Sequence, residues 1–244
     1  MSAFWLKIIA LVAMIIDHMG AAFPETFGFG FRVIGRVAFP IFVFLIAEGF
    51  YHVLKADDKT RVWKFLARLF VFAIISEPFY DVVINHAAIS EINFFNDTNI
   101  FYTLFLGGAA IVAYEKIRKW QEKSHIWIFI PVAFVLLLLA EFLSVDYGAY
   151  GVVFIFVMYV LRHWDKKFLL MALLCLWQHE FMIRALFTYG TDAYPSIVWA
   201  LIPATLVPVV LVAFYNGKRG LDLKRFFYTA YPLHLAIIAA VMLL

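Results

Sequence analysis

Asp17 and His18 stand side by side inside an otherwise apolar run, and two arginines four residues apart, Arg32 and Arg36, lead into the next such run. Histidine titrates nearest neutrality and is the side chain best suited to take a proton from an attacking hydroxyl or amine. Guanidinium is a permanent charge with a planar fork of donors, fit to hold a carboxylate, a phosphate or a carbonyl oxygen gathering negative charge. Further polar interruptions of apolar stretches are Glu77, Asp81, Glu141, the adjacent His179 and Glu180, Arg184, and His234 two residues after Pro232. Glu180 and Arg184 are four apart, so on a helix they stack on one face and can neutralise each other. Asp17 and His18, as neighbours, point about 100° apart on a helix. Asp17 therefore cannot orient His18, whose partner must come from another helix. No H-E-x-x-H or H-x-x-x-H zinc spacing, G-x-S-x-G elbow or P-loop occurs, and no metal is expected. Cys175, the single cysteine, permits no internal disulfide and reads as a buried, inert thiol.

Composition sets the elements that must hold these groups. The chain has 244 residues, 65% hydrophobic and 15% charged, against roughly 45–50% apolar and about 25% charged in a soluble domain. Too few polar residues remain to cover a water-soluble globule, so much of the surface must face lipid. A helix crossing about 30 Å of hydrocarbon needs roughly 20 apolar residues. With that ruler the chain divides into nine spans, near 4–23, 34–54, 65–84, 98–115, 125–143, 147–161, 167–188, 197–215 and 226–244. The expected fold is an all-α polytopic membrane protein of about nine transmembrane helices, or eight if the short sixth or the polar seventh is re-entrant. Without a linker, low-complexity tract or repeat, residues 1–244 read as one domain. Gly28-Phe29-Gly30 falls in an outer loop.

Orientation follows from lysine and arginine, which cytoplasmic loops retain. The loops after spans two, four, six and eight carry sixteen of the twenty, and Lys7 joins them at the amino terminus. Glu25, Glu91, Asp97, Asp146 and Asp192 mark the opposite loops. The amino terminus is expected inside and the carboxyl terminus outside. Lys7 followed by an apolar run and Gly20-Ala21-Ala22 has the outline of a signal peptide, but Asp17 and His18 interrupt it, so the segment belongs to the mature protein. A net charge of +3 without a basic patch in water gives no reason to expect nucleic acid. Tryptophans near the span ends form an anchoring belt.

Arg32, Arg36 and Arg184 break the charge rule by falling in or near the outer half of the membrane. A charge at a helix centre costs about 2.5–3.5 kcal/mol on insertion scales, and ionisable groups that persist there mark function. One such function is transport, with Asp17, Glu77, His179 and Arg184 as a proton or anion pathway. The odd span number and the lack of an internal repeat weigh against it.

Longer phrases carry a resemblance. Lys7-Ile8-Ile9-Ala10 through Ile16-Asp17-His18-Met19-Gly20, then Arg32-Val33-Ile34-Gly35-Arg36-Val37-Ala38-Phe39-Pro40 running into Glu48-Gly49-Phe50, resemble the TraX family. Ser76-Glu77, Asn99-Ile100-Phe101, Asp146-Tyr147-Gly148, Tyr215-Asn216-Gly217-Lys218-Arg219-Gly220 and Tyr231-Pro232-Leu233-His234 extend the likeness over nearly the whole chain. The family is named for a conjugation-system member that acetylates the amino terminus of pilin, and it is similar to the integral-membrane acyltransferases that modify envelope glycans. The resemblance implies a bacterial cytoplasmic-membrane acyltransferase. Its donor would be acetyl-CoA or another acyl-CoA, and its acceptor a hydroxyl or amine of a polymer, a peptide or a small molecule. On this reading His18 is the general base, Arg36 stabilises the thioester carbonyl, and Asp17 holds Arg36 or a second basic group. His234, the second choice for base, falls with Tyr231, Glu48 and Asn99 to the donor. Arg32, Glu77, Tyr147, His179, Glu180 and Arg184 are substrate or supporting residues, and the basic inner loops meet the coenzyme phosphates.

Overall fold

A computed structural model describes residues 1–179, 182–184, 188, 190 and 199–244. Glu180 and Asp192 lie outside the described residues. Among the described residues the chain is all-α, with ten helices in order. They are α1 (Ala3–Ala22), α2 (Pro24–Gly35), α3 (Ala38–Lys55), α4 (Lys59–Ile84), α5 (Ile100–Trp120), α6 (His125–Phe142), α7 (Gly148–Val160), α8 (Lys167–Trp177), α9 (Leu201–Ala213) and α10 (Lys224–Met242). A single 3-10 turn at Ile89–Glu91 lies between α4 and α5.

Among the described residues five segments are long and apolar enough to cross a membrane: Ala3–Ala22, Pro24–Lys55, Ile100–Trp120, His125–Phe142 and Arg225–Met242. The helices α7, α8 and α9 are apolar but shorter, and α4 begins with Lys59, Arg61, Lys64 and Arg68 among its first ten residues. Several apolar helices of spanning length make this an integral-membrane protein.

The expected outer loop around Gly28 is instead helical. Pro24 sits at the first position of α2, where its missing N–H costs nothing. Phe23, Phe27 and Phe31 recur at helical spacing, and the rings of Phe27 and Phe31 stack with centroids 4.7 Å apart. The helix is interrupted only at Gly28, whose φ of 64° and ψ of −177° suit glycine alone. Two glycines two residues apart, Gly28 and Gly30, look like a loop in sequence, but the phenylalanine periodicity prevails.

The helices pack into two compact units. In the first, residues 1–45 and 163–244, α1 lies along α2 and against α10, and α8 packs on α9. Its backbone also ties the start of α1 to the loop before α10: Ala3 N–H donates to Lys218 O at 2.9 Å and Phe4 N–H to Arg219 O at 3.1 Å. These two basic segments thus share one end of the unit, as the charge pattern requires of two loops on the same side.

In the second unit, residues 46–162, α5 is the centre and contacts α4, α6 and α7, while α6 also packs on α7. Gly107 and Gly108 let neighbours approach α5 closely. A Cβ on Gly107 would meet Ile155 of α7 at 2.7 Å, and one on Gly108 would collide with the ring of Phe50. By contrast α6 is apolar on all sides and largely unburied, exposing Trp127, Phe134, Leu138 and Phe142. Such a surface suits lipid tails, not water.

Candidate active site

The buried face of α1 carries Leu6, Ala10, Met14 and His18, a residue every turn. His18 is therefore in register with the core and faces α10. Asp17, about 100° around the helix, faces α2 instead. Its carboxylate is held by both arginines at the end of that helix. Arg32 Nη1 donates to Asp17 Oδ2 at 2.5 Å and to the Asp17 carbonyl at 3.2 Å, and Arg36 Nη2 donates to Oδ1 at 3.2 Å. Arg36 Nε donates to the Arg32 carbonyl at 3.2 Å, which fixes the second guanidinium along its own helix. The contact is close because position 35 has no side chain: a Cβ on Gly35 would overlap the Asp17 carboxylate. One carboxylate thus bridges two guanidiniums.

The partner of His18 comes from α10. His18 Nδ1 and His234 Nε2 are 2.7 Å apart, and the two rings lie 14° from parallel. His234 Nδ1 reaches back one turn to the Ala230 carbonyl at 2.8 Å. Tyr231, three residues before His234 and so on the same face, sets its ring against both imidazoles, with centroids 6.0 Å from His18 and 5.5 Å from His234. The two histidines are one hydrogen-bonded pair, not alternatives at different depths. An apolar groove of about 530 Å³, lined by Ile15, Met19, Phe23, Phe27 and Ile237, reaches the His234 ring.

Asp17, His18, Arg32, Arg36, Tyr231 and His234 are thus gathered in the first unit. His179, in the turn after α8, is buried, stands within electrostatic reach of Arg36, and has no hydrogen-bond partner for Nε2 among the described residues. Arg184 is exposed. Its expected partner Glu180 lies outside the described residues.

The other expected site residues, Asn99, Glu77, Glu48 and Tyr147, sit in the second unit. Asn99 is the N-cap of α5: its Oδ1 accepts from Phe101 N–H at 2.9 Å, while Nδ2 donates to Ala73 O at 2.8 Å and Glu77 Oε2 at 2.5 Å. Glu77 is fully buried, and its Oε1 has no partner among the described residues. Glu48 pairs with His52 at 3.5 Å, one turn along α3. Tyr147 adopts φ 67° directly before Gly148 at φ 52°, a double left-handed turn that starts α7. Glu141 completes that turn by accepting the Ala149 N–H at 2.8 Å. Sequence reading placed Glu141 only among the acids that interrupt apolar runs; it stands eight residues before the N–H it accepts, a separation no capping motif has. Sequence reading also missed the Ala230 carbonyl, which no side-chain motif can reveal. Among the described residues no group of three or more His, Cys, Asp or Glu side chains converges as metal ligands.

Comparison with known proteins agrees with the helical pattern and the motifs. The chain is 30% identical over 255 residues to a protein of Dichelobacter nodosus described as "Probable fimbrial assembly protein FimC, serogroup H1", covering 98% of this chain and 95% of that one. It is 24% identical over 162 residues to "Uncharacterized protein RP591" of Rickettsia prowazekii (strain Madrid E), covering 65% of this chain and 55% of that one. No solved structure matches significantly. The family described as "TraX protein" matches residues 2–242. The full-length match and the apolar helices together support a membrane-associated, acyltransferase-like function, and the chain belongs to the TraX family.

Proposed function

We propose that the protein moves an acyl group from a coenzyme A thioester to a hydroxyl or amine, with His18 as general base. The observation that carries this reading is the adjacency, on one turn of α1, of an imidazole hydrogen-bonded to His234 and a carboxylate that presents two guanidiniums. His18 takes the proton as the acceptor oxygen or nitrogen bonds to the thioester carbonyl carbon. Arg36, with Arg32 behind it, lowers the energy of the negative charge that gathers on the carbonyl oxygen. As the carbon–sulfur bond breaks, the His18 imidazolium returns its proton to the departing thiolate. Asp17 keeps the two guanidiniums together at a depth where neither would be stable alone. Tyr231 closes one side of the histidine pair, and the groove beside His234 offers an apolar approach for an acyl chain.

The two units act here as one domain of about nine spans in a bacterial cytoplasmic membrane, amino terminus inside. The inner basic loops face the coenzyme phosphates, and the acceptor is a polymer, a peptide or a small molecule. The fimbrial-assembly description of the Dichelobacter relative favours an acceptor on the outer side. Detergent-purified protein is tested for acetyl-CoA binding as a thermal shift, with ATP as the charge control, and for release of free coenzyme thiol. A ligand at 100 times its Kd adds about 2.7 kcal/mol. His18→Ala and Arg36→Ala are expected to lower turnover by roughly 10²-fold or more with the fold retained. Undiminished turnover in both variants overturns the assignment.

A further inference from the structure

The hydrogen bonds around His18 fix more than its position. A carbonyl oxygen can only accept, so the 2.8 Å contact between His234 Nδ1 and Ala230 O requires the proton of that pair to sit on His234 Nδ1. A protonated, cationic His234 would be a buried positive charge that no carboxylate among the described residues pairs with, its contacts being His18, the Ala230 carbonyl and the Tyr231 ring. His234 is thus neutral, and its Nε2 carries a lone pair. At 2.7 Å from that lone pair, His18 Nδ1 must be the donor. The proton of His18 is then spent on His234, and Nε2 of His18 is left bare. That nitrogen has no hydrogen-bond partner among the described residues, and the two imidazoles are held nearly parallel with Tyr231 against their edges.

We infer that His234 is a positioning residue: with the Ala230 carbonyl it locks His18 into the tautomer protonated on Nδ1, so that Nε2 is the nitrogen that accepts the proton of the acceptor group. This rests on the reading of His18 as general base. It also assigns an order to the chain, running from the backbone carbonyl through His234 to His18 and ending at one ring nitrogen. When His18 gains its second proton, the positive charge is stabilised through Nδ1–H by the His234 lone pair. The same chain returns His18 to the starting tautomer when Nε2 gives that proton up. The Nδ1 proton stays within the pair throughout, and Asp17, held by the two arginines, takes no part in orienting the ring.

The test has a spectroscopic arm and a kinetic arm. The protein is labelled with ¹⁵N in the histidine rings, and the His18 signals are identified by their loss in His18→Gln. The ¹⁵N shifts then report which ring nitrogen bears the proton, with no need for turnover. Protonated Nδ1 and bare Nε2 on His18 are expected in the unmodified protein; protonated Nε2 with bare Nδ1 overturns the proposal. In the kinetic arm His234→Leu removes the acceptor at similar volume, whereas His234→Gln can return an amide oxygen to His18 Nδ1. The leucine variant is expected to lose on the order of 10²-fold in kcat with KM for acetyl-CoA unchanged, and the glutamine variant to recover at least tenfold of that loss. Wild-type kcat in folded His234→Leu, or no recovery in folded His234→Gln, overturns it. If the unmodified protein shows no acyl transfer while its His18 is protonated on Nδ1, the acyltransferase reading fails and the tautomer lock stands.

Discussion

Both guanidiniums rest on the Asp17 carboxylate, so its removal is more costly than the loss of either arginine. Asp17→Asn is expected to destabilise the protein by about 2–4 kcal/mol, because it strands two largely buried charges. Arg32→Gln leaves the Arg36 contact at 3.2 Å in place and is milder. Unfolding midpoints of both variants in one detergent order the two effects, and an Asp17→Asn midpoint equal to the parent's would show that the pairs contribute no stability. Polar residues inside apolar runs were legible in the sequence, and so was the need of His18 for a partner on another helix. Which helix was not legible, since 216 residues separate His18 from His234 and no periodicity spans that distance. Asn99 and Tyr147 were visible as motif residues, but their backbone work as a helix cap and a left-handed turn leaves no composition signal.

Close approach decides the behaviour of the helices. Gly35→Ala would place a methyl group on the Asp17 carboxylate, prising α2 from α1, and overpacking of this kind costs about 1–3 kcal/mol. Turnover is expected to fall with stability, because both guanidiniums move. Gly30→Ala, five residues earlier in the same helix, meets nothing within 4 Å and has an ordinary backbone, so it should be neutral or slightly stabilising. Equal melting of the two variants would contradict this account of α1 and α2. The short turn between α3 and α4 offers a test against pH. Lys119 donates to Asp57 at 2.8 Å and, with its charge, holds that carboxyl below the usual carboxylate range. The small stabilisation from this exposed pair is present above the ordinary carboxylate pKa and is lost as pH falls through the lowered one. Asp57→Asn should erase that part of the acid dependence in a melting series, and added salt should do the same. Apolar run length made most helices legible because a membrane segment is defined by length and hydropathy; α2 was missed because Gly28 and Gly30 mimic a loop, and only its phenylalanine spacing shows otherwise.

At the scale of the whole molecule, the orientation expected from the charge pattern has a direct test. In a Cys175→Ala background, Ser90→Cys in the 3-10 turn and Lys123→Cys before α6 place exposed thiols in consecutive loops. A membrane-impermeant maleimide applied to intact cells should label the first at once and the second only after lysis. The reverse order would invert the topology and put the basic loops outside. The pairing of His18 with His234 carries a consequence for synthesis. At about 5–20 residues per second, roughly 10–40 s pass between making the two rings. For that interval α1 sits in the bilayer with its imidazole unmatched, and any chain released before α10 is inserted lacks the hydrogen bond that sets the base. On the proposed chemistry, acyl transfer is therefore withheld from every nascent or truncated product, and activity itself certifies that the ribosome has reached the last helix.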